Sequence, residues 1–412
     1  MGFREKSVIE QREEFVRLAL LPDANVKELA ARFAIARSKA YKWIARFKAE
    51  GASGLADRLR RPKSSPKRSG AALEAAVLAV RLESNGAWGG RKIAKVLERR
   101  EGANRLAPST VTAILRRHGA LAASRTGHPG PWQRFERAEP NELWQMDFKG
   151  HFQAGFERCH PLAVIDDHSR YAIGLQACAN QTHVTVKDCL TVLLRRHGLP
   201  LRILCDNGVP WGDPTGEHFT KLTVWLMRLG VAVSHGRFYH PQTQGKEERF
   251  NRSLKAEAIE GLCFDGLASC QSRFDAFRNR YNHQRPHDAL GLEVPASRYR
   301  PSPRAFPETL PPIVYNEGDI VITVNAAGCI PLKGRTICVG RGFCGEAIAL
   351  RRAGDGRHDV YFCAHQLGAI DLAKLPAGAR RPLLGPDGEP RFKRSSQRLH
   401  EIMRTPAEKP LP

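Results

Sequence analysis

Nothing in the 412 residues supplies the apolar run of about 18 that a helix needs to cross a bilayer. The opening MGFREKSVIEQREE is too charged for the apolar core of a signal peptide, so a cytoplasmic protein is expected. Paired thiols are missing too: ten cysteines occur, none in a Cys-x-x-Cys pair, which leaves a zinc module or disulfide scaffold without support. They are expected to be reduced and mostly buried. Acidic charge is also in deficit, with 42 Asp+Glu against 65 Lys+Arg, a net +23. That deficit is uneven. Residues 1–140 carry 29 basic and 14 acidic side chains (+15), residues 141–300 carry 20 and 17 (+3), and the remainder 16 and 11 (+5). A basic N-terminal third reads as a nucleic-acid handle, because Lys and Arg release counterions from a phosphate backbone. A merely soluble basic surface is the plainer alternative.

The length predicts three or four compact units. Residues 1–50 read as three helices forming a helix-turn-helix domain. Asn25 stands where it can cap the second helix, whose Val26, Leu29, Ala30 and Phe33 make one apolar stripe. The third is expected to start near Ser38 and to pack Ala40, Ile44 and Phe47 inward. Arg37, Lys39, Lys42 and Arg46 then face outward, as a recognition helix requires. A helical bundle with a solvated basic face would show the same pattern. Residues 51–70 are a basic Gly/Ser/Pro-rich linker. Residues 71–125 form a second helical, helix-turn-helix-like domain in which Arg91, Lys92, Arg116 and Arg117 are candidate DNA contacts, although a dimerising helix pair fits as well.

From 139 to 300 the order βββ-α-β-α-β-α predicts an α/β core with a mixed five-stranded sheet. Residues 313–375 read as a small β-barrel, and 376–412 as a disordered basic tail.

Three carboxylates stand where this sheet can gather them. Asp147 lies in the first strand, on the opposite face from Trp144, Met146 and Phe148. Asp206 ends the fourth strand. Glu248 lies near the start of the helix QTQGKEERFNRSLKAE. Three anionic oxygen donors suit Mg²⁺, and a two-metal site about 4 Å across activates an attacking hydroxyl and stabilises the leaving oxyanion of a phosphodiester. Each carboxylate alone has a duller reading: an exposed strand residue, an Asn-Gly turn, a helix-start acid. Arg249, Arg252 and Lys255 follow on the same helix as candidate phosphate contacts, Arg252 and Lys255 at i+4 and i+7 from Glu248. A solvated helix face is their alternative. His240 and Gln244 are expected to line the preceding loop.

The ordered runs LWQMDFKG, VIDDHSRY, CDNG, HPQTQGKEERFNRSLKAE and YNHQRPHDALG resemble the integrase core of DDE-type insertion-sequence transposases, relatives of retroviral integrases. The N-terminal helix-turn-helix with its DRLRRP linker is similar to that group as well. The resemblance implies a ribonuclease-H-like fold with Asp147, Asp206 and Glu248 as catalytic and metal-ligating residues. The glutamate is Glu248 rather than Glu247 because it directly precedes the Arg-aromatic-Asn of ERFN. It further implies Mg²⁺ or Mn²⁺, two ions per site, terminal inverted repeats as binding sites, and strand transfer after 3′-end cleavage. Double-stranded DNA, a homodimer or higher oligomer, and a nucleoid-associated location in a bacterium follow. Between Asp206 and Glu248 the spacing is a little longer than in the shortest such chains, with WGDPTGEH as the extra loop. Two rivals remain on sequence: a DNA-binding regulator derived from a transposase, and a nuclease acting on RNA in hybrids.

Overall fold

The structure, a computed structural model, describes residues 7–58, 68–101, 106–121, 136–206, 208–212, 219–235, 245–374 and 380–382. His240, Gln244 and most of the WGDPTGEH loop lie outside the described residues. Residues 1–68 form one compact unit and 69–412 another.

In the first unit, α1 (Val8–Ala19), α2 (Val26–Arg32) and α3 (Arg37–Glu50) enclose a small core. Asn25 Oδ1 accepts from the backbone N–H groups of Lys27 and Glu28 at 3.1 and 3.4 Å, satisfying donors that the first turn leaves open. The buried residues are Phe15, Val16, Ala30, Ala40, Trp43 and Leu55, while Ile44 and Phe47 are only partly buried. Trp43, at i+3 from Ala40, therefore replaces Ile44 as the main inward side chain of α3. The Arg12 guanidinium covers its ring at 4.0 Å.

The second unit begins with α4 (Ala71–Glu83), α5 (Gly90–Glu101) and α6 (Pro108–Arg117), packed around Val77, Val80, Trp88, Ile93, Leu97, Val111, Ile114 and Leu115. The main sheet follows: β1 (Trp144–Phe148), β2 (Phe152–Ala154), β3 (Glu157–Asp166), β4 (Ala172–Cys178), β5 (Arg202–Cys205) and β6 (Ala232–His235). Its strands lie in the order β4-β3-β1-β5-β6, with β2 folded onto the first residues of β3. The predicted five strands are present, and the sixth is a three-residue arm too short to show a period of two. Strand β3 is antiparallel to β1 and β4, whereas β1, β5 and β6 run parallel.

Helices α7 (His183–His197) and α8 (Lys221–Arg228) cover one face through Leu190, Leu193, Leu194, Leu222 and Leu226. On the other face lie α9 (Gly245–Leu254) and α10 (Leu267–His283), which contribute Phe250, Leu254, Phe274, Phe277 and Tyr281. Each such large side chain removed from water contributes about 1.5–3 kcal/mol, so the sheet is held from both sides. Gly198 stops α7, at φ 76°. A Cβ there would stand 2.6 Å from the Ser302 carbonyl oxygen.

The C-terminal region departs from the expected barrel. Strands β7 (Ile320–Thr323), β10 (Ala347–Gly354), β11 (Arg357–Phe362) and β12 (His365–Asp371) form one open sheet. The others, β8 (Cys329–Leu332), β9 (Arg335–Cys338) and β13 (Arg380–Pro382), form a second. Among the described residues the edge strands β7 and β12 do not pair, so nothing closes the sheet. The two sheets share a core with Val224 and Met227 of α8. Residues 380–382 pair with β9 and so correct the expectation of a wholly disordered tail; the rest of 376–412 lies outside the described residues.

Candidate active site

Parallel pairing brings the two aspartates together. Trp144 lies opposite Ile203 and Gln145 opposite Leu204. Continued two residues along each chain, that register leads to Asp147 and to Asp206, just past the end of β5. Alternation sends Trp144 and Met146 into the α7/α8 side, leaving Gln145 and Asp147 on the side of α9. Burial, then the Asp206 charge, pushes the Asp147 carboxyl up to about 6, against the opposing pull of the Phe148 backbone N–H. A bound cation would offset the burial and the Asp206 charge that disfavour an ionised Asp147.

Asp206 is held from its own loop. Its Oδ1 accepts the Gly208 N–H at 3.0 Å, and its carbonyl oxygen lies 2.8 Å from His235 Nδ1. A Cβ at position 208 would come to 3.1 Å from Oδ2, so glycine lets the turn wrap the carboxylate. Beneath it the buried Cys205 thiol is driven up by burial and then by Asp206, Glu247 and Asp147, and stays a neutral floor to the site.

The glutamate pair corrects an expectation about orientation. Glu248 was expected to be the member turned toward the aspartates. In the structure Glu247 is the buried one, 2% exposed, while Glu248 lies on the exposed face. Burial, then Asp147 and Asp206, drives the Glu247 carboxyl well above its ordinary range, and its Oε1 has no hydrogen-bond partner. Phe250, Leu254 and Ala258 continue the buried side of this helix line, and Arg249, Arg252 and Lys255 are exposed. Among the described residues no ready-made group of three ligands is drawn up. What the fold supplies is a pair of adjacent aspartates and a helix start bearing two more carboxylates, one with an orphaned buried oxygen. That donor set fits a hard divalent cation.

Sequence reasoning missed the residues that support this arrangement. Lys246 Nζ donates to Asp167 Oδ1 at 2.5 Å, and the same carboxylate accepts Gln145 Nε2 and the Arg137 N–H at 2.8 and 2.9 Å. Lys149 lies near Lys255, and burial with that like charge holds its ammonium below the usual lysine range. The Asp-Asp pair of VIDDHSRY was the available signal, noted only as part of a run that resembles an integrase core.

The candidate DNA contacts divide. On α3, Arg37, Lys39 and Lys42 are exposed and Arg46 is half-buried over Trp43 at 5.1 Å. In the second helical domain Arg116 is exposed on α6. Its companions are engaged within the protein: Arg91 and Lys92 reach Asp288 at 3.1 and 3.5 Å, and Arg117 reaches Glu74 at 2.6 Å. Lys92 is thus largely covered while Arg91 stays exposed, and beside them Arg99 pairs with Glu293 and Trp88 Nε1 donates to the buried Glu257.

Comparison with known proteins agrees with this architecture. Residues 137–241 and 229–295 match integrase core domain families. Residues 11–63 match a helix-turn-helix domain and 39–115 a homeodomain-like domain. The chain thus belongs to the class that joins helix-turn-helix modules to an integrase core. Residues 319–377 match the C-terminal domain of IS481 family transposases. These matches make the chain similar to insertion-sequence transposases that carry an integrase core.

Among curated relatives, the IS407 insertion element 31.7 kDa protein of Burkholderia multivorans is 28% identical over 177 residues, 41% of this chain and 61% of that protein. The IS476 39.2 kDa protein of Xanthomonas euvesicatoria is 26% identical over 157 residues, 38% of this chain and 44% of that protein. The matched segments thus span less than two thirds of either relative. Two solved structures are similar at lower levels. A chain of the simian T-cell lymphotropic virus intasome in complex with PP2A regulatory subunit B56 gamma has TM-score 0.35 and 15% identity over 69% of this chain and 96% of that one. The HTLV-2 integrase catalytic core with magnesium has TM-score 0.29 and 14% identity over 40% of this chain and 99% of that one.

Proposed function

We propose that the protein binds the terminal inverted repeats of an insertion element and catalyses divalent-metal-dependent 3′-end cleavage and strand transfer. The observation that supports this is the parallel register of β1 and β5, which leads to Asp147 and Asp206, with the Asp147 carboxyl raised by burial and then by the Asp206 charge. Asp147, Asp206 and Glu248 are the proposed ligands for two Mg²⁺ or Mn²⁺ ions. When bound, such ions lower the pKa of an attacking hydroxyl and stabilise the departing oxyanion. Glu248 is chosen on the ERFN motif and on its exposed face, where DNA can reach it and where Arg252 and Lys255 follow at i+4 and i+7. Those cations, with Arg249 and Lys149, grip backbone phosphates. Helix α3 reads the element end, and Arg116 adds a contact from the second domain. Two ends must be held at once, so the working form is a dimer or larger assembly acting in the bacterial cytoplasm on the nucleoid.

A second reading of the third ligand has its own support. Glu247 is the carboxylate buried against both aspartates, with an unpartnered oxygen. Cleavage of element-end duplexes in Mg²⁺ decides. Glu248→Gln is expected to abolish cleavage while leaving end binding intact, and Glu247→Gln to retain a measurable rate. The reverse result transfers the role to Glu247, and full activity in both variants together with Asp206→Asn removes the metal-site reading.

A further inference from the structure

The catalytic helix carries its two glutamates in its first turn, where a helix is least constrained by its own hydrogen bonds. Here that turn is tied down by a side chain. Lys246, one residue before Glu247, reaches across to Asp167 in the β3–β4 turn, with Nζ 2.5 Å from Oδ1 and 3.3 Å from the Asp167 carbonyl oxygen. The Asp167 side chain is fully buried and the Lys246 side chain 17% exposed. The same Oδ1 accepts Gln145 Nε2, and Gln145 stands two residues before Asp147 on the same strand face. One buried carboxylate therefore joins the strand that presents Asp147 to the turn that presents Glu247 and Glu248. A buried ion pair of this kind is a poor source of net stability and a good means of fixing register. Each residue of helix turns its side chain by about 100°, so the position of Lys246 sets which way the next two carboxylates point.

We propose that Asp167 and Lys246 are positioning residues that lock the rotational phase of α9 against β1 and so set the glutamate-to-aspartate geometry of the metal site. The inference rests on the metal-site reading above. Neither residue touches substrate; both act through the carboxylates.

The test uses the full chain with Lys246→Met, Lys246→Arg and Asp167→Asn. Mn²⁺ binding is measured by calorimetry without DNA, and element-end cleavage is followed against Mg²⁺ concentration. Lys246→Met and Asp167→Asn are expected to weaken metal binding and raise the half-saturating Mg²⁺ by about 10–100-fold, the range found when a metal ligand loses its support. Lys246→Arg restores both toward the parent, and affinity for element ends in EDTA is unchanged throughout. Should Lys246→Met fail to fold, Asp167→Asn, which keeps an acceptor for Gln145, carries the test. Parent-like Mn²⁺ affinity and Mg²⁺ requirement in the folded variants, with Asp206→Asn inactive, overturns the positioning role and leaves the metal site standing. Unaltered activity and Mn²⁺ binding in Asp206→Asn overturns the site itself.

Discussion

Replacing Asp147 by Asn should make the metal-free protein more stable while removing its activity. The folded carboxyl lies near 6 against an ordinary 3.8, raised by burial and by Asp206. For an acid whose folded pKa is raised, the fold prefers the protonated form. The penalty is absent below about pH 3.8, grows through the window up to about 6, and is constant above it. Roughly two pKa units at 1.36 kcal/mol each place it at about 3 kcal/mol. Asparagine keeps the shape and removes the charge. At pH 8 in EDTA, urea unfolding should show Asp147→Asn more stable than the parent by up to about 3 kcal/mol, with the gap closing toward pH 4. Mg²⁺ should then raise the stability of the parent, which binds it in the folded state, far more than that of the variant. An unchanged or lowered stability for Asp147→Asn at pH 8, or an equal gain from Mg²⁺ in both proteins, would refute the argument that these aspartates form a strained, cation-seeking pair.

Other outcomes follow from the same structure. Lys39→Ala, Lys42→Ala and Arg46→Ala together should weaken binding to element ends and flatten the salt dependence by roughly one unit of slope for each phosphate no longer neutralised, read by anisotropy across a salt series; an unchanged slope removes α3 as the reading helix. Arg116→Ala should reduce end affinity, whereas Lys92→Met should leave it unchanged, because Lys92 is directed at Asp288. Equal losses in the two variants would show that α5 also meets DNA. Burial, then nearby Arg196 and Arg278, holds His197 near 4, below its ordinary 6.5. Its folded pKa is depressed, so stability present above pH 6.5 is lost as pH falls toward 4; His197→Gln should lessen the loss between pH 7 and 5 in urea titrations, and an identical loss would assign it elsewhere.

What could be read from the sequence depended on how far away each cause lay. The Asn25 cap, the alternation of β1 and the stop at Gly198 are local, and the residues that make them are neighbours in the chain. The adjacency of Asp147 and Asp206 needed one further step, since parallel pairing of β1 with β5 is what a helix-connected sheet favours. The phase of α9 was not legible, because the side chain that pins its first turn bonds to a residue 79 positions earlier. The second helical domain shows the same limit. Asp288, which Arg91 and Lys92 reach, lies almost 200 positions further on, and Trp88 meets its acceptor 169 residues away. Charge pattern alone therefore does not separate a basic residue that meets DNA from one paired within its own fold. The two glutamates show the converse. A motif picks out Glu248 by its neighbours in sequence, packing picks out Glu247 by its neighbours in space, and metal binding requires the carboxylate that satisfies both the aspartates and the incoming phosphate. Substituting each in turn separates these demands, because only a true ligand ties catalytic loss to loss of metal-induced stability.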